Sequence, residues 1–265
     1  MENRKIFNIF GEQIYAYYEQ SNNKKKVLFI HGFNSTWLMW RDFIKYPRDY
    51  DIAMLDLPGC GKSTHHYQIS IEYYQKVVAE FVKQIGYEGC LVVTHSLGAA
   101  SGLYLVNENL AKYAILTSPF NYVSDFFSAG WLYHFMYDVK KPIPMPRMNL
   151  KAMTPQAKNI LFETCRVMLK KYRFTHLALD QILNYDYTST TIKELYLKTN
   201  KYEMWSGLDD AYIMIDDLRK ISKDENIKLI EFANVNHGFW RQIDAMQIQL
   251  CLKLIQEKVN ELTSE

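Results

Sequence analysis

Short apolar runs alternate with stretches of helical periodicity along residues 1–120, and this alternation limits the fold more than any other feature of the chain. Val27–Ile30 is apolar at every residue and ends in His31-Gly32. A strand without an apolar/polar alternation is buried on both faces. Asp51–Leu57, Cys90–Thr94 and Tyr113–Thr117 read as further strands. Between them lie helical signals at Trp37–Ile44, Ile71–Ile85 and Leu97–Asn107. The second carries Val77, Val78, Phe81, Val82 and Ile85 at helical spacing and stops at Gly86. Ahead of these, Ile6–Phe10 and Ile14–Glu19 form a predicted hairpin with Gly11 in its turn. Strands separated by helices predict an α/β fold: a mostly parallel sheet covered on both faces.

The pattern then changes. Residues 121–195 carry helical signals and few strand signals, with Pro142, Pro144 and Pro146 punctuating the early part. Helices are expected at Pro155–Lys171, with Pro155 near its first position, and at Thr175–Asn184. Thr191 and Glu194 have capping-box spacing. Alternation resumes with strands at Tyr202–Trp205 and Lys228–Phe232 and helices around Ile213–Ile221 and over Phe239–Leu262. Two strands are too few for a sheet of their own. The expected organisation is therefore one α/β core, residues 1–120 and 196–265, interrupted by a helical insertion over 121–195.

Composition narrows the function. A formal net charge of +2 gives no strong field for nucleic acid, and Lys24-Lys25-Lys26 reads as a solvated hairpin turn between strands. The four cysteines, Cys60, Cys90, Cys165 and Cys251, show neither CxxC spacing nor a short disulfide framework, which predicts thiols in a reducing compartment. No signal-peptide pattern opens the sequence and no run of 18 apolar residues occurs, so a cytoplasmic protein without an integral membrane segment is expected. Gly61-Lys62-Ser63 has the end of a phosphate-binding loop, but Asp56 stands where that motif needs its first glycine, and a carboxylate there repels phosphate.

The chemistry centres on Thr94-His95-Ser96-Leu97-Gly98, where β-branched residues give way to small helix formers. Two readings compete: an N-cap serine, or a nucleophile on a tight strand-to-helix turn. A serine hydroxyl needs a base, an acid to orient that base, and donors for the oxyanion. A strand end running into a helix N-terminus raises the hydroxyl above the sheet beside outward-pointing N–H groups. Gly98 is small, as such a turn requires; Thr94 stands where a glycine is usual. His31-Gly32-Phe33-Asn34 closes an earlier buried strand, so the Phe33 and Leu97 N–H groups are candidate oxyanion donors. Among seven histidines, His237 follows the last strand, at the sheet edge where ligands gather in open α/β folds. His31 and His95 are assigned structural roles. For the acid, Trp205-Ser206-Gly207-Leu208-Asp209-Asp210 follows the penultimate strand; either aspartate qualifies, and Asp210 is favoured.

The order Ser96, Asp210, His237, each at a strand end, resembles the α/β-hydrolase family. The resemblance covers most of the chain and rests on H31-G32-F33-N34, D56-L57-P58-G59-C60-G61-K62-S63, T94-H95-S96-L97-G98, G207-L208-D209-D210 and N236-H237-G238. It implies a sheet of about eight strands with a helical lid inserted after the sixth, and a structural role for the Asp56–Ser63 loop. Dense aromatics from Phe120 to Tyr137, including Phe127 and Trp131, suggest an apolar acyl or aromatic pocket, and the three prolines a hinge. The expected activity is a serine hydrolase cleaving carboxylic esters through an acyl-enzyme, with a small-molecule ester or acyl substrate and no metal or cofactor. The same triad on a C–C bond, thioester, amide or aminoacyl substrate remains open, as does a non-catalytic binding module. Activity is expected to rise with pH as a general-base imidazole loses its proton.

Overall fold

The computed structural model describes residues 3–124 and 155–264. Eight strands form one sheet in the order β1-β2-β4-β3-β5-β6-β7-β8. They are β1 (Arg4–Ile9), β2 (Glu12–Tyr18), β3 (Lys26–Ile30), β4 (Asp51–Leu55), β5 (Cys90–His95), β6 (Ala111–Thr117), β7 (Tyr202–Gly207) and β8 (Leu229–Phe232). β2 runs antiparallel to both β1 and β4; the pairings from β4 to β8 are parallel. Phe10 and Gly11, with φ of 50° and 81°, make the β1–β2 turn. Because β4 lies between β2 and β3, the lysine run does not turn a hairpin as expected. It crosses to the next parallel strand, and Lys25 pairs with Asp49 at 2.5 Å.

Alternate residues of the central strands enter two separate cores. Leu28, Ile30, Val92, Leu116 and Met204 face one side, against α1 (Ile71–Ile85), α2 (Gly98–Asn107) and parts of the insertion. Val27, Phe29, Val93, Ile115 and Trp205 face the other, against the 3-10 helix Trp37–Lys45 and the C-terminal helix Ala245–Ser264. The strands are apolar throughout because neither face meets water. α1 begins at Ser70, whose side chain accepts the Tyr73 N–H, and ends at Gly86 with φ 65°.

The insertion follows β6, and its described part is helical. Pro155–Lys170 is an α-helix. The helix expected over Thr175–Asn184 is present as helical backbone that is π-wound over Leu177–Ile182, and a short 3-10 turn, Tyr172–Phe174, precedes it. Docking accompanies this winding: the buried Gln181 side chain accepts the Ile71 N–H at the start of α1 and donates to Glu72. The capping box expected at Thr191 is absent. Asn184 caps the run instead, accepting the Tyr187 N–H at 3.2 Å, so Thr191 already lies inside helical backbone. The single helix expected over Phe239–Leu262 is broken. A 3-10 turn, Phe239–Arg241, precedes Asp244 and Gln247, which form a reciprocal box: Gln247 N–H donates to Asp244 Oδ1 at 2.8 Å and Asp244 N–H to Gln247 Oε1 at 2.9 Å. Among the described residues no helix is long and apolar enough to cross a membrane. The four cysteines are free thiols.

Candidate active site

Ser96 has φ 51°, in the left-handed region, between the end of β5 and α2. An N-cap serine takes extended backbone, so this conformation excludes that reading of Ser96. Neighbouring strand ends hold the turn. Ser96 N–H donates to Thr117 O at 3.0 Å, and Ser96 O accepts from Phe120 N–H at 3.1 Å. The end of β3 passes so near that a Cβ at Gly98 would lie 2.5 Å from Ile30 O. Thr94, larger than the usual glycine, is accommodated from the far side. It is fully buried, and its Cγ2 fills the space that a Cβ on Gly102 would need, 2.5 Å away.

His237 stands over this turn. Ser96 Oγ and His237 Nε2 are 3.1 Å apart, and His237 Nδ1 lies 3.0 Å from Asp210 Oδ2 and 3.2 Å from Oδ1. Of the two candidate acids, it is Asp210 that meets the imidazole. Asp209 is exposed at the cavity edge. The β7 exit makes this approach possible: a Cβ at Gly207 would fall 1.9 Å from Val235 O, and Asp209 N–H donates to that same carbonyl. Burial would raise the Asp210 carboxyl, but His237 beside it and the Ile213 and Tyr212 N–H donors outweigh burial and hold it below the ordinary aspartate value.

Two contacts on His237 have no signal in the sequence. His95 Nε2–H donates to the His237 carbonyl at 2.8 Å, and the Tyr212 ring lies against the imidazole with centroids 5.0 Å apart. Burial, followed by the neighbouring His237, pushes His95 down to about 3, so it is neutral. His31 is also neutral, lowered to about 4 by burial. Its Nδ1–H donates to Gly32 O and its Nε2 accepts the Leu57 N–H, tying the ends of β3 and β4 together.

Phe33 and Leu97 flank the serine on the cavity wall, and among the described residues neither backbone N–H makes a hydrogen bond within the fold. The cavity is about 620 Å³. Its buried lining includes Met39, Leu97, Phe120, Ile182 and Ile213; Glu163, Arg166, Asp209 and Arg241 line it from more exposed positions. Phe120 lines the cavity, while Phe127, Trp131 and the three prolines lie outside the described residues. No cluster of three His, Cys, Asp or Glu side chains suited to a metal occurs among the described residues. Asp56 fills the middle of the loop once compared with a phosphate site. Its carboxylate accepts the Trp37 and Lys62 N–H groups, and Ser63 Oγ–H donates to its carbonyl.

Residues 25–135 match the alpha/beta hydrolase fold family model. A Mycoplasma genitalium protein bearing an esterase/lipase name is 29% identical over 107 residues, which is 39% of each chain. The match thus spans about two fifths of that relative's length. Among solved structures, a lipase-named protein of Acinetobacter baumannii superposes with a TM-score of 0.70 at 19% identity, covering 97% of this chain and 92% of that one. A thermophilic esterase from Thermogutta terrifontis gives 0.63 at 14% identity, covering 98% of both. At these identities the likeness speaks for the fold, and the sheet order and strand-end serine turn agree with it. The eight-stranded, mostly parallel sheet with its insertion after β6 is an α/β-hydrolase fold.

Proposed function

We propose that this chain is a serine hydrolase that cleaves carboxylic esters through an acyl-enzyme. The observation that carries the reading is the unbroken contact from Ser96 Oγ to His237 Nε2 and from His237 Nδ1 to Asp210. Ser96 Oγ attacks the ester carbonyl carbon as its proton passes to His237 Nε2. Asp210 accepts from Nδ1–H, fixing the tautomer that leaves Nε2 free and stabilising the imidazolium. The Leu97 and Phe33 N–H groups hold the oxyanion; one such donor contributes about 3 kcal/mol. Collapse expels the alcohol, which takes the proton from His237. Water, deprotonated by the same nitrogen, then attacks the acyl-serine, and the carboxylic acid leaves with Ser96 Oγ–H restored.

The choice of an ester draws on two supports. The relatives with esterase or lipase names make that bond the first to test, and the buried apolar part of the cavity suits an acyl chain while its charged edge suits a polar leaving group. A panel of p-nitrophenyl esters of increasing acyl length, run beside thioesters and aminoacyl amides, tests it. The expected result is the highest kcat/KM on an ester, with loss of turnover in Ser96→Ala. Higher kcat/KM on a thioester or amide would reassign the bond, and undiminished Ser96→Ala turnover would remove the mechanism.

A further inference from the structure

The insertion helix Pro155–Lys170 touches a different loop of the site at each end. Near its start, the buried Gln156 donates from Nε2 to Tyr212 O at 2.9 Å and to Asp217 Oδ2 at 3.1 Å. One turn on, Asn159 Nδ2 donates to Ala211 O at 3.3 Å. Both carbonyls belong to the loop immediately after Asp210. Just past the other end, Lys171 Nζ donates to Asn34 Oδ1 at 2.7 Å, and the Phe174 ring meets Phe33 edge-on at 5.5 Å. Asn34 has φ 50°, a left-handed turn next to the Phe33 N–H. Between the ends, Glu163, Thr164 and Arg166 line the cavity. At 1.5 Å per residue the 16-residue helix spans about 24 Å.

The chemistry of these contacts goes beyond apolar packing. A buried amide directs both its hydrogens at acceptors on the acid side, and a lysine spends its ammonium on a neutral amide of the oxyanion loop. Neither loop lies in a helix or strand. We propose that this helix and the turn after it form a strut that holds the acid loop and the oxyanion loop in register across the cavity, with Gln156 and Lys171 as positioning residues. The inference rests on the hydrolase reading above. It implies that substrate enters without this helix swinging away, since such a swing breaks both sets of contacts.

The test compares donor-removing with donor-keeping variants. In Gln156→Leu and Lys171→Met, kcat on the best p-nitrophenyl ester is expected to fall about tenfold or more, within the roughly hundredfold that an ångström of misplacement costs, while KM stays within about twofold. Gln156→Lys and Lys171→Arg, which still donate, are expected to keep most of kcat, and melting temperatures are expected to stay near that of the parent. Asn159→Ala reads the acid-side contact by a milder change if Gln156→Leu does not fold. The strut is overturned if kcat is unchanged in both donor-removing variants, or if any loss follows the melting temperature and is not rescued by the donor-keeping residues. Ser96→Ala separates the two ideas. If it is inactive while the strut variants behave as the parent, only the strut fails; if it turns over normally, the hydrolase reading fails and the strut with it.

Discussion

Ser96 holds a left-handed backbone that costs a non-glycine residue about 1–2 kcal/mol, and the hydrogen bonds to Thr117 and Phe120 keep it there. Strain of this kind turns the Oγ out of the sheet edge toward His237. Thr94 and Gly102 show how the turn is built without the usual first glycine: one methyl fills the place of one missing Cβ. Gly102→Ala is therefore expected to destabilise the protein by about 1–3 kcal/mol through overpacking, and Thr94→Ser, which removes that methyl, to relieve most of the cost. Chemical denaturation of the two single variants and the double variant measures the coupling; additive effects would refute the compensation. At the acid, Asp210→Asn is expected to lower kcat by about 10⁴-fold, as loss of the tautomer-fixing carboxylate does in a serine triad, whereas Asp209→Asn is expected to leave it within about tenfold. Matched kinetics on the two variants decide between neighbouring aspartates that were both open in the sequence. Their ambiguity was physical. Adjacent residues at a strand exit point in different directions, and the Tyr212 and Ile213 N–H donors, with His237, hold the Asp210 carboxylate inward.

Elements were legible where apolar spacing was strong. α1 runs over Ile71–Ile85 as its pattern and Gly86 indicate, and the central strands betray double-sided burial by lacking alternation. Elements whose limits depend on side-chain capping or docking were less legible. The C-terminal region has helical periodicity through the break before Ala245, and the Asp244–Gln247 box that starts the second helix was available in the sequence as D-x-x-Q. Asp244→Ala is expected to cost about 1 kcal/mol, read as a lower urea midpoint, while Asp244→Ser recovers most of it; equal midpoints for all three would deny the cap. The π-wound stretch Leu177–Ile182 carries no comparable signal, because its winding goes with Gln181 reaching residues 71 and 72 across the fold. His95 and Tyr212 were illegible as partners of His237 for the same reason: His95 meets it across 142 positions, a distance that only the completed sheet closes.

At the scale of the whole molecule, Ser96, His237 and Asp210 stood out because an open parallel sheet gathers the C-terminal ends of its strands at one rim, and each lies just beyond such an end. The same architecture buries two neutral histidines at that rim, lowered to about 4 for His31 and about 3 for His95. Both folded values lie below the unfolded one, so their stabilising effect is complete above about pH 6.5 and is lost progressively as pH falls toward the folded values. Each is expected to withdraw about 2 kcal/mol of stability between about pH 6.5 and pH 5, and His31→Gln to flatten that slope in denaturant melts; a slope unchanged by the substitution would contradict it. The central claim is that the imidazole and carboxylate make one alcohol, Ser96, reactive. Its most direct measurement is intact mass and peptide mapping after exposure to a fluorophosphonate probe, in the parent and in His237→Ala. The expected result is one adduct, on Ser96, formed rapidly in the parent and at least about a hundredfold more slowly without the imidazole. An unmodified Ser96 in folded protein, or equal labelling in both, would contradict it.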